Sequence, residues 1–197
     1  MIKISVDEIK KQSLQLFLEK GYNNVTVNDI CTAIGITKPT FYKYIGAKED
    51  LILDLYDSTI QNLLADTYNF IKADTHYEQL LFVFKHLIED TTKYGSDLFS
   101  QMLISNLTEN HHSMDMRPQL TKLCTVIIEK AQQKGEILNQ SDASLLYNSI
   151  AFSFTGYEFM WCVNKGILDW EKEFFESIRS ILWVRDDLKE VHLKYIK

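Results

Sequence analysis

At 197 residues, with 46% apolar and 24% charged residues, the chain is long enough for a substantial core and has an ordinary globular balance. A net charge of −6 rules out a globally basic nucleic-acid binder, and no apolar run approaches the roughly 18 residues that a membrane span requires. The three cysteines, Cys31, Cys124 and Cys162, are an odd, widely spaced set within apolar helical patterns. That suits small buried hydrophobes in a reducing compartment, not a disulfide or metal framework.

The first predicted element is an amphipathic helix from about Val6 to Lys20, with Ile9, Ser13, Leu16 and Phe17 on its inner face. Ser5 and Glu8 have capping-box spacing ahead of it, so MIKISVDEIKK reads as a helix start and not as a signal peptide; a cytoplasmic location is expected. Residues 21–51 follow, GYNNVTVNDICTAIGITKPTFYKYIGAKEDL. Thr26 precedes the apolar-periodic Val27, Ile30, Cys31 and Ile34, and Asp29, three residues on, completes a capping box. Gly35 supplies a left-handed corner and Thr37 caps the next helix. Pro39 occupies that helix's first turn, where a missing N–H costs nothing, and Phe41 and Ile45 face inward four residues apart. Two short helices about a glycine turn make a helix-turn-helix, the motif that sets its second helix in the major groove of DNA.

Gly21-Tyr22, Thr26-Val27, Asp29-Ile30, Gly35, Thr37-Lys38, Thr40-Phe41-Tyr42, Tyr44 and the run from Lys48 to Leu51 resemble, in order and spacing, the N-terminal domain of TetR-family transcriptional regulators of the TetR/AcrR type. The motif covers roughly the first quarter of the chain, and the rest resembles the family in length and helical character. Pro39 stands where many members carry a small residue, often Gly, and Ile45-Gly46 where Phe and a polar residue are usual. The resemblance implies an all-α fold of about nine helices: an N-terminal three-helix helix-turn-helix DNA-binding domain and a larger C-terminal helical ligand-binding and dimerisation domain. The expected bounds are residues 1–46 and 47–197, with a connecting helix over 47–72.

The charge is organised locally. No acidic residue lies between Asp29 and Glu49, whereas Lys38, Lys43 and Lys48 do, and seven Lys against six Asp and Glu leave residues 1–50 at +1 and the remainder at −7. Lys38 and Lys43 are each expected to neutralise a phosphate or reach a guanine edge, and phosphate contacts are expected from Tyr42 and Tyr44, and from Thr26 and Lys48 at helix N-termini. Thr37, Pro39 and Thr40 lead the recognition helix, where methyl and methylene surfaces suit a thymine methyl and hydroxyls suit base edges. Phe41 is core by its spacing.

Glycines punctuate the rest of the chain, and with two prolines and no useful β-alternation it reads as all-helical. The connecting helix starts near Ala47 and carries Ile52, Tyr56, Ile60, Leu63 and Leu64. Further helices are expected over about 76–94, 97–108, 116–134, 142–164 and 169–184, with starts marked by Thr75 with Glu78 and by Ser141 or Asp142. A short amphipathic tail runs through Leu188, Val191 and Tyr195. His111, His112, Met114 and Met116 fall in or beside a polar loop and read as solvated, not as a metal site. Leu145 to Val163 is apolar nearly all round and must be covered on more than one side. Gly156, at about 1 kcal/mol relative to Ala in a helix, suggests close approach of a partner helix or ligand; the plainer alternative is a buried core helix. In TetR-like proteins the last two long helices form a four-helix dimer interface, and this placement matches. Two symmetric copies about 34–36 Å apart, or a multiple of it, suit a palindromic operator.

Nineteen of the 24 aromatic residues follow residue 50. The resemblance implies that helices after the connecting one enclose a small-molecule pocket, with Phe82, His86, Phe99, Met102, Leu103, Phe152, Tyr157 and Trp161 as lining candidates; the plainer alternative is that they are core. No glycine-rich phosphate loop, Ser elbow, HExxH or Cys/His constellation appears, so no catalytic residue, metal or cofactor is assigned. The reading is a ligand-responsive DNA-binding transcriptional regulator, a repressor by the family's commoner mode. It would bind a double-stranded palindromic operator as a homodimer and be released by a small apolar effector. The alternatives are an architectural DNA-binding protein without ligand sensing, or a helical enzyme.

Overall fold

The computed structural model describes residues 5–53, 55–65 and 70–191, the side chain of Tyr56 excepted. The elements are α1 (Val6–Lys20), a 3-10 turn (Tyr22–Asn24), α2 (Val27–Ile34), α3 (Lys38–Tyr44), α4 (Asp50–Leu53), α5 (Leu55–Ala65), α6 (His76–Thr108), α7 (Pro118–Gln133), α8 (Ala143–Val163), α9 (Glu171–Leu182) and a closing 3-10 turn (Asp186–Leu188). The fold is all-α: among the described residues the only extended pairing is an isolated bridge between Ile137 and Val184. The expected connecting-helix residues 66–69, Tyr56 as a side chain, and the tail position Tyr195 lie outside the described residues. The chain divides into two compact units, Met1–Ser58 with Lys93–Met114, and Thr59–Thr92 with Asp115–Lys197.

In the first unit, Ser5 Oγ accepts from the Glu8 N–H (3.1 Å) at the start of α1, and Gly21 ends it with φ 80°, its N–H donating to Phe17 O. Ile9, Phe17, Tyr22, Val25, Ile30, Phe41, Ile45 and Ile52 are buried, as are Leu98, Phe99 and Met102 of α6. Each fully buried Ile, Leu or Phe contributes roughly 1.5–3 kcal/mol from the area removed from water. α4 starts three residues later than the apolar pattern suggests, because the Asp50 carboxylate takes the Ala47 N–H (2.8 Å) and holds that turn with a side chain. Gly95 separates two helical stretches within α6, as its position between the expected helices over 76–94 and 97–108 implies: its backbone is non-helical, at φ 82°, ψ 156°.

The second unit is built on an aromatic cluster. Phe84 of α6, Phe154 of α8, Trp170 at the N-cap of α9 and Phe174 within α9 lie with ring centroids 5.3–5.8 Å apart in the Phe84–Phe154, Phe84–Phe174, Phe154–Trp170 and Phe154–Phe174 pairs. Such pairs are worth about 0.5–1.5 kcal/mol each beyond their burial. The mostly buried Lys85 donates to Glu171 at the first turn of α9 (2.5 Å), and the Thr91 hydroxyl donates to the buried Glu158 of α8 (3.0 Å). Asp142 caps α8 by accepting from the Ser144 and Leu145 N–H groups.

The N-terminus of α6 is capped from afar. Thr75 Oγ1 accepts from the Glu78 N–H (3.1 Å), while the buried Glu136, from the α7–α8 connection, accepts from the Tyr77 N–H (2.9 Å) and lies 3.2 Å from His76 Nδ1. Replacing Glu136 with Ala strips a buried helix donor of its acceptor, and an expected loss of about 1–3 kcal/mol follows. Urea unfolding followed by circular dichroism measures it; an unchanged midpoint would show that Glu136 carries no such load.

Candidate nucleic-acid interface

Local hydrogen bonds shape the helix-turn-helix. At the start of α2, the Thr26 N–H donates to Asp29 Oδ2 (2.8 Å) and the Asp29 N–H donates to Thr26 Oγ1 (3.2 Å), closing the capping box. These bonds to Thr26 hold the Asp29 carboxyl below the usual carboxylate range. α2 ends at Gly35 (φ 76°, ψ 34°), whose N–H donates to Cys31 O; a side chain would strain that left-handed corner. Thr37 then caps α3: its Oγ1 accepts from the Thr40 N–H (3.3 Å) and pairs with Thr40 Oγ1 (2.9 Å). Pro39 sits in the first turn, and the Ile45 N–H closes the last by donating to Phe41 O.

This leaves α3 with two distinct faces. Phe41 and Ile45 are fully buried, while Lys38, Pro39, Tyr42 (53% exposed), Lys43 and Tyr44 (39% exposed) face solvent, with Thr37 exposed and Thr40 half-buried beside them. Lys38 with Tyr42, and Pro39 with Lys43, stand four residues apart and so lie one above the other. The Tyr42 ring packs edge-on against Phe41 (5.4 Å), and Lys43 Nζ lies 6.0 Å from the centroid of the Tyr44 ring. Thr26 is exposed at the start of α2.

Lys48 stands apart from that row. Its Nζ donates to Tyr22 O (2.6 Å) and lies 3.7 Å from the Tyr22 ring centroid and 5.5 Å from that of Phe17. Burial pulls its ammonium below the usual lysine range, while Glu49 and Asp97 act in the opposite direction. The Tyr22 N–H donates in turn to Asp97 Oδ2 of α6 (3.0 Å). Asp97 escaped sequence reasoning, since nothing local signals a partner 75 residues away.

The expected pocket residues divide between the units. Phe99 and Met102, buried, and Leu103, half-buried, belong to the unit that holds the helix-turn-helix. Phe82, His86, Phe152, Tyr157 and Trp161 belong to the other. There Phe82 lies 6.4 Å from Phe70 and 6.3 Å from His86 by ring centroids, and His86 Nε2 is buried without a hydrogen-bond partner. The Tyr157 hydroxyl pairs with Ser177 Oγ (2.9 Å), Trp161 is buried, and Phe152 is 68% exposed. All three cysteines are buried, and burial pushes the Cys124 thiol well above its usual range. Among the described residues, no three His, Cys, Asp or Glu side chains converge as a metal-holding group.

With α3 so short, its cap matters. Thr37→Val keeps the shape and removes the acceptor of the Thr40 N–H; the expected cost is about 1 kcal/mol, read as a lowered thermal midpoint. An unchanged midpoint would mean that the cap contributes nothing.

Residues 9–55 match the family model described as bacterial regulatory proteins, tetR family. The chain is 33% identical over 86 residues to the uncharacterised HTH-type transcriptional regulator YuxN of Bacillus subtilis (strain 168), a match covering 41% of this chain and 30% of that protein. It is 34% identical over 47 residues to the HTH-type transcriptional regulator TcmR of Streptomyces glaucescens, covering 24% and 21%. The match therefore spans less than a third of the length of either curated relative. Among solved structures, the fold is shared with Thermus thermophilus FadR, a TetR-family transcriptional repressor in complex with lauroyl-CoA, at a TM-score of 0.71 and 20% identity over 90% of this chain and 93% of that one. It is shared also with AibR in complex with isovaleryl coenzyme A and operator DNA, at 0.53 and 17% over 91% and 99%. Residues 9–55 thus carry the head motif described for bacterial regulatory proteins of the tetR family, and the all-α fold is one that this chain shares with solved TetR-family regulators.

Proposed function

We propose that this chain is a ligand-responsive DNA-binding transcriptional regulator of the cytoplasm, a repressor that holds a palindromic operator as a homodimer and leaves it when a small apolar effector binds. The observation that carries the reading is the outward row of α3: two lysines, two tyrosines and a proline held in the open by a capped turn and by the buried Phe41. Those residue types suit phosphate and base edges, and they lie in the part of the chain, residues 1–50, that carries +1 while residues 51–197 carry −7. Thr26, at the start of α2, is a further phosphate candidate.

The homodimer is supported by α8. Leu145, Ser149, Phe152, Gly156, Phe159 and Val163 follow one another at alternating spacings of four and three, and all are exposed. An apolar seam of this period is what a second helix covers. A Cβ on Gly156 would meet nothing within 4 Å in its own chain, so the protomer itself does not require a glycine there; a close partner helix does. Beside the seam, Ser153, Glu176, Ser177, Ser180 and Ile181 line a shallow recess of about 380 Å³ between α8 and α9.

Effector release would act as a population shift: a ligand that binds one arrangement of the paired heads more tightly draws the dimer away from the arrangement that fits DNA. FadR and AibR hold acyl-coenzyme A molecules, which makes acyl thioesters the first probes to try.

A duplex recovered by selection from a random library provides the test. Lys43→Ala and Lys38→Ala are each expected to reduce the slope of log affinity against log salt by about one unit. Unchanged slopes in both variants would remove the α3 lysines from the phosphate contacts, and a wild type that enriches no duplex would overturn the reading. In sedimentation, the wild type is expected as a dimer and Phe152→Glu as a monomer, because the charge lands in the proposed seam; a dimer unmoved by that change would place the interface elsewhere.

A further inference from the structure

The main chain of Tyr22 is gripped from two sides by side chains of opposite charge. Its N–H donates to Asp97 Oδ2 (3.0 Å), and its carbonyl accepts from Lys48 Nζ (2.6 Å), which also lies against the Tyr22 ring. Gly21, immediately before, has φ 80°, and a Cβ there would stand 3.9 Å from the same Asp97 oxygen. Asp97 lies two residues past the break in α6 and falls in Lys93–Met114, the stretch that belongs to the same compact unit as the helix-turn-helix. The Gly21–Tyr22 junction sets the direction in which the chain enters α2, and so the direction in which α3 is aimed.

We propose that Asp97 is a positioning residue of the DNA-reading head: together with Lys48 it fixes the Gly21–Tyr22 junction so that α3 presents its outward row at the angle the groove requires. The proposal rests on the DNA-reading function above. Two signs separate it from plainer roles. An acidic side chain that merely sits near DNA repels phosphate, so removing it tightens binding; removing a positioning carboxylate loosens it. A lysine that touches phosphate reduces the salt slope when removed, whereas Lys48, with its ammonium engaged on Tyr22, weakens binding at constant slope.

The experiment measures fluorescence anisotropy of a duplex selected by the wild type, using full-length wild type, Asp97→Ala, Asp97→Asn and Lys48→Met at several salt concentrations. Thermal unfolding and amide exchange at Tyr22 are recorded alongside. Asp97→Ala is expected to weaken binding about tenfold, and Asp97→Asn, which keeps an acceptor oxygen, about threefold. The Tyr22 amide should exchange faster in both, with buried amides of α1 unchanged, a local signature that general destabilisation does not give. Should Asp97→Ala fail to fold, Asp97→Asn decides alone. A folded Asp97 variant that binds as tightly as wild type, or more tightly, overturns the proposal; so does a salt slope reduced by about one in Lys48→Met. A wild type that selects no duplex overturns the DNA-reading function itself, an outcome distinct from either.

Discussion

α3 is seven residues long, and a helix of that length is marginal in water, so its outward row exists only because Phe41 and Ile45 are anchored in the core of the head. The anchoring works because both ends are tied down as well. Thr37 takes the first-turn donor, Pro39 offers none to satisfy, and the Ile45 N–H returns to Phe41. Burial of one aromatic ring thus fixes the rotation of the helix, and rotation decides which side chains face outward. Everything proposed about recognition depends on that phase.

Charge is distributed to the same end. The chain carries −6 overall, and the window between Asp29 and Glu49, free of acidic residues and holding three lysines, is where the proposed approach of DNA meets least repulsion. Within that window the lysines do not behave alike. Lys38 and Lys43 remain in solvent, whereas Lys48 is drawn onto the carbonyl and ring of Tyr22, where its charge is partly desolvated and balanced by Asp97 and Glu49. The same residue type in neighbouring turns therefore presents charge in one place and braces the backbone in another.

α8 shows how one apolar helix serves two surroundings. Leu146, Ile150, Phe154 and Trp161 are buried, and Phe154 joins the aromatic cluster with Phe84, Trp170 and Phe174. The opposite side carries Leu145, Phe152 and Phe159 into solvent, a cost that a monomer has no reason to bear and that the proposed dimer removes. Glu158, almost wholly buried on the same helix, accepts from the Thr91 hydroxyl.

The legible part of this molecule is the part written at short range. The Thr26–Asp29 box, the corner at Gly35, the Thr37 cap and the inward pair Phe41 and Ile45 all involve residues within one helical turn, and each stands in the structure as its spacing implies. The break at Gly95 was visible too, as the boundary between two helical stretches that the non-helical backbone there confirms. Side-chain type and spacing suffice there because capping and turn conformation are settled by neighbours along the chain. Other features had no such signal: the Asp97 carboxylate on the Tyr22 amide, Glu136 on the start of α6, the inward turn of Lys48, and which side of an all-apolar α8 meets solvent. These partners are 75, 59 and 26 residues apart, and a helix that is apolar all round carries no phase in its pattern. Only chain closure and the shape of the packed core bring such groups together, which is why local chemistry foretold the helix-turn-helix while three-dimensional packing chose how it is held.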